Sequence, residues 1–337
     1  MINGKLCMNY ELLADVAQII MGQSPPSSTY NTVGEGLPFY QGKADFGDMY
    51  PTPRVYCTEP SRVAEAGDIL ISVRAPVGPT NISRERSAIG RGLSVIRAGK
   101  KLDRDFLLYF LRFYEPELAK AGTGSTFAAI AREDLETIKI PLPPLSEQKR
   151  IASLLARADR LRGLRRAARE QCDSLLQSVF LEMFGNINEN NKGWHTTTIG
   201  QSMKLKSGDF LSSEMMDTRG IYPVYGGNGI NGYHSAYMFD EPKICIGRVG
   251  VYCGAVHVTQ QKSWITDNAL YIEEIPANLN LVFLANYLKF KNLNQFADQA
   301  GQPLISQGRL TNVDIWLPSR ILQEEFARVV ARVEALR

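Results

Sequence analysis

Apolar residues recur along residues 146–184 at alternating spacings of three and four positions. The positions in this seam are Ile151, Leu154, Ala158, Leu161, Ala168, Cys172, Leu175 and Val179, with Arg165 as an interruption. Such spacing is typical of a long helix that packs its apolar seam against a second helix. Ser146 is a suitable N-cap behind two prolines, and Gly185 is a suitable helix stop. The pattern therefore predicts a helix over residues 146–184, roughly 58 Å long.

The beginning of this helix is repeated near the end of the chain. Residues 140–161 read IPLPPLSEQKRIASLLARADRL, and residues 315–336 read IWLPSRILQEEFARVVARVEAL. The two stretches align without a gap, with Gln148 opposite Gln323. In the second copy the seam continues at Phe326, Val329, Val333 and Leu336. This self-similarity indicates an internal duplication, and we expect the two helices to pair as an antiparallel coiled coil.

Each helix follows a segment of similar layout. Short runs rich in strand-forming residues are bounded by glycine, and one apolar helix follows them, at 105–113 in the first half and 281–290 in the second. This order favours a mixed α/β domain in each half and an α+β fold class for the chain. The predicted boundaries are 1–142 for the first domain, 143–184 for the first helix, 185–193 for a polar linker, 194–318 for the second domain and 319–337 for the second helix.

Composition narrows the class of protein. A length of 337 residues is typical of about two domains, and 44% hydrophobic with 22% charged residues is ordinary for a globular protein. The five cysteines lack a C-x-x-C pair and the three histidines lack a metal-ligand spacing, so we expect reduced thiols and no zinc site. Residues 1–16 do not show the charged region and apolar stretch that are typical of a signal sequence, and no apolar run reaches about 18 residues. We therefore expect a cytoplasmic protein without a membrane segment.

Positive charge is concentrated on the first long helix. The net charge of the chain is +3, but residues 147–170 hold eight basic and three acidic side chains and carry +5 by themselves. A basic helix of this kind can bind phosphates. A solvated or protein-docking helix face explains the same pattern equally well.

Motifs for catalysis are weak in this sequence. It has no G-x-x-x-x-G-K-[ST] loop, and neither the Asn-Pro-Pro-Tyr nor the Asp-Pro-Pro-Tyr string of amino-methyltransferases. Asp217, Glu241 and Lys243 loosely resemble the carboxylates and lysine of a metal-dependent nuclease. However, Pro242 would remove a hydrogen-bond donor from the strand that carries them. We therefore expect no catalytic centre and no metal site.

Several polar loops could contact a nucleic acid. The glycine-rich run YGGNGINGY at 225–233 offers backbone N–H groups and asparagine amides to phosphates and base edges, although a pair of tight turns explains it more simply. Arg74 and Arg248 each end an apolar strand before a turn, where a structural salt bridge is an equal alternative. The loops at 21–30 and 122–127 are either contact surfaces or plain turns.

In this duplicated order, the stretches PLPPLSEQKRIASLL, AGDILISVRAPVG and YPVYGGNGINGY resemble the specificity subunit of type I restriction-modification enzymes. The resemblance covers nearly the whole chain. It implies two target-recognition domains that each read one half of a split double-stranded DNA site, with the helices as a spacer that docks methyltransferase subunits. It also implies that the second spacer helix is truncated, because the family pattern has a longer one.

The resemblance assigns the chemistry to partner subunits. Two modification subunits that bind S-adenosylmethionine would methylate adenine, and separate restriction subunits with ATP would cleave the DNA, so this chain would be non-catalytic and hold no cofactor. A stand-alone sequence-specific DNA-binding protein or a nuclease is the alternative. The candidate DNA contacts are Gln23, Ser24, Thr29, Tyr40, Gln41, Lys43, Arg74, Arg91, Ser125, Thr126, Tyr225, Asn228, Asn231, Arg248, Asn268 and Gln302.

Overall fold

The computed structural model describes residues 9–121, 129–217, 219–298 and 301–337 of the chain. The chain divides into two units, one up to Gly163 and the other from Leu164 to Arg337. This division falls inside the longest helix, rather than at its end. Among the described residues, no helix is both long enough and apolar enough to cross a membrane.

The first unit is built from two larger sheets and one strand pair. Its strands are β1 (Tyr10–Leu12), β2 (Ala17–Met21), β3 (Tyr30–Asn31), β4 (Leu37–Tyr40), β5 (Val55–Cys57), β6 (Val63–Ala64), β7 (Ile69–Ser72), β8 (Thr80–Ile82), β9 (Ser87–Ile89), β10 (Leu93–Ala98) and β11 (Lys139–Pro141). Its helices are α1 (Leu13–Val16), α2 (Arg104–Ala121), α3 (Arg132–Glu136) and the first part of α4 (Leu145–Phe184). The antiparallel sheet has the order β2, β10, β7, β8. The other sheet has the order β3, β5, β4, β9, β6, with β4 parallel to β9, and β1 pairs with β11.

Strand β7 lies between two apolar layers of the first unit. All four of its residues are buried. Because side chains alternate along a strand, Ile69 and Ile71 join the cluster that contains helix α2, whereas Leu70 joins a cluster with Tyr40 and Ile89 of the other sheet. Burial of both faces explains why this strand has a continuous apolar run rather than an apolar-polar alternation.

The second unit has the same kinds of element. Its strands are β12 (Thr196–Thr198), β13 (Leu205–Ser207), β14 (Tyr222–Gly226), β15 (Gly229–His234), β16 (Ile244–Gly247), β17 (Val256–Val258), β18 (Trp264–Ile265), β19 (Ala269–Ile272) and β20 (Asp314–Trp316). Its helices are the last part of α4, α5 (Ile199–Ser202), α6 (Leu281–Phe290), α7 (Gln307–Leu310) and α8 (Arg320–Glu334).

Each sheet of the first unit has a counterpart in the second. The order β13, β19, β16, β17 repeats the order β2, β10, β7, β8, the pair β12 and β20 repeats β1 and β11, and β14 runs parallel to β18 as β4 does to β9. In β16, Ile244 and Ile246 pack with helix α6 while Cys245 packs with Tyr225, which is the arrangement of β7. The predicted duplication and the predicted α+β fold class are therefore confirmed.

Helix α4 agrees closely with its predicted bounds. It begins at Leu145, one residue before the predicted start, and ends at Phe184 as predicted. Gly185 follows with φ +90°, a left-handed conformation that glycine adopts without strain and that commonly ends helices. Residues 153–158 and 160–171 of the helix are exposed.

Helix α8 packs antiparallel against the end of α4 inside the second unit. The rings of Phe180 and Phe184 meet the ring of Phe326 edge-on, with centroids 5.6 and 5.5 Å apart. The guanidinium of Arg337 pairs with the carboxylate of Asp173. Because Asp173 precedes Phe180 while Arg337 follows Phe326, the two helices run in opposite directions. The predicted antiparallel pairing is confirmed for this part of α4.

The predicted apolar seam is confirmed at Phe326 and Val333 of α8, which are buried, but it is wrong along most of α4. Near the end of α4 the buried side chains are Leu176, Phe180 and Phe184, one position beyond the predicted Leu175 and Val179. Of the predicted seam, Leu154, Ala158, Leu161, Ala168, Leu175 and Leu336 are exposed, Ile151, Cys172, Val179 and Val329 are partly buried, and Phe326 and Val333 are buried. The physical reason is that α4 packs against the core of the first unit near its start and against that of the second near its end, whereas a continuous seam requires one partner helix throughout.

Candidate nucleic-acid interface

Five of the sequence-predicted contact residues of the first unit line one cleft, here called the first cleft. They are Ser24, Gln41, Lys43, Arg74 and Arg91, and the cleft has a volume of about 1200 Å³. Strands β4 and β9 are parallel neighbours, so the segments that follow them emerge at the same edge of the sheet. The structure therefore brings together loops that are far apart in the sequence.

Tight backbone contacts hold these loops in place. A Cβ atom at Gly92 would lie 2.2 Å from the carbonyl oxygen of Gln41, so a residue larger than glycine would push the two loops apart. Asp45 is buried and accepts hydrogen bonds from the N–H of Gln41 (2.7 Å) and from the guanidinium of Arg54 (2.6 and 2.9 Å). The carboxylate of Asp45 thereby neutralises the charge of Arg54.

Three other cations of the first cleft have no partner in the described chain. Lys43, Arg74 and Arg91 are exposed, and their side chains form no hydrogen bond or ion pair with any described residue. The alternative that Arg74 forms a structural salt bridge is therefore excluded for the described residues. Unpaired cations that converge on one cleft raise the local positive potential and attract polyanions.

The second unit has a cleft at the equivalent edge, here called the second cleft. It has a volume of about 780 Å³ and is lined by three predicted residues, Asn228, Asn231 and Asn268. Strands β14 and β18 are parallel neighbours there. The hairpin of β14 and β15 has a register shift at Val224 and Tyr225, a type of irregularity that redirects side chains next to functional sites. Thr266, which no sequence signal indicated, also lines this cleft.

The two tyrosines among the candidate contacts are core residues. Tyr40 ends β4 at 2% exposure, and Tyr225 lies at the same place in β14 at 5% exposure. The Tyr225 hydroxyl accepts a hydrogen bond from the N–H of Gln260 at 3.1 Å. Burial, with a smaller effect of the charge of Glu85, raises the pKa of Tyr40 to about 12. The expectation that these rings contact DNA is corrected, because each fills a space between two sheets.

Arg248 is not the counterpart of Arg74. The N–H of Arg248 donates to the carbonyl of Asn268 (3.0 Å), as the N–H of Val73 donates to that of Gly92 (3.0 Å). Arg248 therefore corresponds to Val73, and because side chains alternate on extended backbone, it points to the opposite face from Arg74. Its side chain is half-buried, and its Nε has no hydrogen-bond partner among the described residues. Arg248 does not line the second cleft.

Three further predicted contacts, Gln23, Thr29 and Gln302, do not line either cleft. Gln23 and Gln302 are exposed, while the Thr29 hydroxyl donates to the carbonyl of Pro26 at 2.7 Å and so stabilises its own turn. Ser125 and Thr126 lie outside the described residues.

The residues of the nuclease alternative do not come together. Asp217 lines the second cleft, whereas Glu241 and Lys243 line a separate depression beside Glu273. The ammonium of Lys243 donates to the backbone carbonyl of Glu273 at 2.6 Å. In the part of the chain that the structure describes, no group of three or more His, Cys, Asp or Glu residues is arranged to hold a metal ion.

The basic side chains of α4 between Lys149 and Arg169 are exposed and distributed around the helix. Arg150 pairs with Glu147 at 2.7 Å, and Arg162 lies 3.6 Å from Asp159. The basic residues of this segment that form no ion pair with a described residue are Lys149, Arg157, Arg160, Arg165, Arg166 and Arg169. Both interpretations of this helix, phosphate binding and protein docking, are compatible with that exposure.

Comparison with known proteins identifies the family. The family model described as the type I restriction modification DNA specificity domain matches residues 9–171 and 191–336. The chain therefore belongs to this family, and the domain matches it twice.

Individual relatives agree with this assignment. A protein of Methanocaldococcus jannaschii named for the MjaX type I restriction enzyme specificity subunit is 50% identical over 163 residues, which are 48% of this chain and 38% of that protein. The EcoprrI specificity subunit of Escherichia coli is 25% identical over 286 residues, covering 80% of this chain and 71% of that protein. The chain thus spans well under two thirds of the archaeal relative.

A solved structure supports the fold over the full length. The S subunit of a type I restriction-modification system from M. genitalium matches 99% of this chain and 91% of its own, with a TM-score of 0.66 and 18% sequence identity. At this identity the likeness concerns the fold, and it includes both units.

Proposed function

We propose that the chain is the DNA sequence-recognition subunit of a type I restriction-modification complex, in which each unit reads one half of a bipartite DNA site. The observation that carries the proposal is the repeated cleft. Two units of the same topology each open a cleft beside the same pair of parallel strands. A protein that reads one continuous site has no need of two such clefts, whereas a split site requires two reading surfaces.

The lining of the clefts suits double-stranded DNA. Phosphate contacts by Lys and Arg fix the position of a protein on DNA, and amide and guanidinium groups read base edges in the major groove. The first cleft offers Lys43, Arg74 and Arg91 without competing partners among the described residues. The second offers the amides of Asn228, Asn231 and Asn268.

In this proposal helix α4 serves as the spacer and as part of a docking surface. Its 40 residues correspond to about 60 Å of helix, and its exposed basic side chains are available to partner proteins. Two modification subunits that bind S-adenosylmethionine would methylate adenine, and restriction subunits that use ATP would cleave the DNA. The chain itself would contribute recognition and spacing but no catalysis.

Salt-dependent DNA binding of the full chain with its modification subunits tests the proposal. The triple variant Lys43→Ala, Arg74→Ala, Arg91→Ala should bind more weakly than the wild type. The slope of log affinity against log salt should become shallower by about 0.9 for each phosphate that the variant no longer neutralises. Thermal stability should hardly change, because these side chains are exposed and form no ion pair with a described residue.

Arg86→Ala is the matched control, since Arg86 is exposed, pairs weakly with Glu65 at 3.6 Å and does not line the cleft. DNA binding that is independent of salt, or a triple variant that binds like the control, would contradict the proposed function.

A further inference from the structure

The two clefts differ in charge. No lysine or arginine is among the described residues that line the second cleft. The one charged side chain among these residues is that of Asp217. The first cleft is lined by four basic residues and one acidic residue. Bidentate recognition of guanine uses Arg or Lys on the O6 and N7 atoms. The second cleft is therefore poorly suited to guanine and to phosphate.

The asparagines of the second cleft keep their amides available. The side chains of Asn228, Asn231 and Asn268 are exposed and form no hydrogen bond with a described residue. Elsewhere in the same unit, the amides of Asn286 and Asn294 donate to backbone carbonyls at 2.8 Å and stabilise the fold. The three amides of the second cleft form no hydrogen bond of this kind with a described residue, so they do not stabilise the fold in this way.

Thr266 lines the second cleft together with these asparagines. It is only 2% exposed, and its buried Oγ1 has no hydrogen-bond partner among the described residues. Burial of an unpaired hydroxyl is unfavourable. A Cβ atom at Gly226 would lie 2.1 Å from Nδ2 of Asn231 and 3.4 Å from Oγ1 of Thr266. Because Gly226 has no side chain, the amide of Asn231 packs directly against it and lies next to the hydroxyl of Thr266.

We propose that the second cleft reads an adenine, with the amide of Asn231 on its major-groove edge and the hydroxyl of Thr266 completing the site from below. An asparagine amide offers one donor and one acceptor in a plane, which match the N7 acceptor and the N6 donor of adenine. Thr266 supplies a further hydrogen bond to this arrangement and gains a partner for its buried hydroxyl. This inference rests on the proposed function, since it assigns a base to one of the two reading surfaces.

The test is selection of bound sequences from a randomised double-stranded DNA library by the full chain with its modification subunits. The wild-type protein should enrich an adenine at one position of one half-site. Asn231→Asp changes the amide donor into a second acceptor, so the preference for that adenine should fall by roughly 10- to 100-fold, with the other half-site unchanged. Asn188→Asp is the control, because Asn188 is an exposed residue of the segment that follows α4.

Thr266→Val distinguishes recognition from a structural role. The substitution keeps the side-chain shape and removes the unpaired hydroxyl, so the melting temperature should stay the same or rise while the adenine preference falls. A lower melting temperature with an unchanged preference would assign the hydroxyl to the fold and overturn its role in recognition.

Two results separate this inference from the proposed function. If the wild-type protein enriches a split sequence but Asn231→Asp leaves every base preference intact, the adenine site is refuted while sequence recognition stands. If the wild-type complex enriches no sequence at all, the proposed function itself fails.

Discussion

Gln148 and Gln323 make the same three hydrogen bonds at equivalent places in the two units. The Oε1 atom accepts from the backbone N–H of Asp103 (2.8 Å) for Gln148 and of Asn280 (2.7 Å) for Gln323. Their Nε2 atoms donate to the carbonyls of Lys101 and Pro143 (3.0 and 2.8 Å) and of Asn278 and Pro318 (3.0 and 2.9 Å), respectively. Both glutamines are fully buried. Each therefore connects the start of α4 or α8 to the segment that leads into the apolar helix of its unit.

Gln148→Met and Gln323→Met should each destabilise the unit that contains the substitution. Methionine has a similar volume but cannot replace the three hydrogen bonds, and leaving the backbone groups without partners should cost about 2–4 kcal/mol. Urea unfolding measures the loss. Gln177→Met, at an exposed position of α4, should cost less than about 0.5 kcal/mol. Equal losses in all three variants would show that the hydrogen bonds do not stabilise the helix starts.

Neighbouring leucines of α4 should respond very differently to truncation. Leu176 is 2% exposed and packs in the core of the second unit, whereas Leu175 is 48% exposed. Leu176→Ala should therefore lower the free energy of unfolding by about 2–5 kcal/mol because it leaves a cavity, and Leu175→Ala should cost less than about 1 kcal/mol. Chemical denaturation of the two variants compares them directly. A larger loss of unfolding free energy in Leu175→Ala than in Leu176→Ala would support the seam that the sequence predicts.

Tyr40 should make the first unit sensitive to alkaline pH. Its pKa is raised from 10.0 to about 12, mainly by burial. A raised pKa in the folded state means that the stabilisation is complete below pH 10 and is lost as the pH rises through 10 to 12, by about 3 kcal/mol at most.

Tyr40→Phe removes the titrating hydroxyl and keeps the ring, so it should weaken this pH dependence while leaving DNA affinity unchanged. Urea unfolding at pH 8 and pH 11 gives the first result, and a binding titration gives the second. If the variant still loses the same free energy of unfolding between pH 8 and pH 11 but binds DNA poorly, Tyr40 contacts DNA after all.

The sequence predicted the repeat and the fold class because both depend on local patterns. Buried strands such as β7 are continuous apolar runs between glycines, and Gly185 marks the end of α4. Other features depend on tertiary contacts that no local pattern contains. For example, Arg248 is equivalent to Val73 rather than to Arg74, and this is seen only in the hydrogen bonds that the backbone N–H groups of Arg248 and Val73 donate to Asn268 and Gly92.

The error in the seam has a similar origin. Leu161 and Leu175 fit a heptad as well as Leu176 does, but which face of α4 is buried depends on the separate cores that the helix meets along its length. Thr266 could not be found from the sequence, because its position beside the amide of Asn231 depends on the close contact of that amide with Gly226.

Exchange of one reading unit tests the central claim most directly. Residues 194–318 would be replaced by the equivalent segment of a relative with a different specificity, and the DNA methylation pattern would be sequenced in cells that also contain the modification subunits. Because each unit has its own cleft and its own core, we predict that one half of the recognised site changes while the other half and the spacing stay the same. A hybrid that rewrites both half-sites, or that keeps the original site in full, would contradict the claim that the two units read DNA independently.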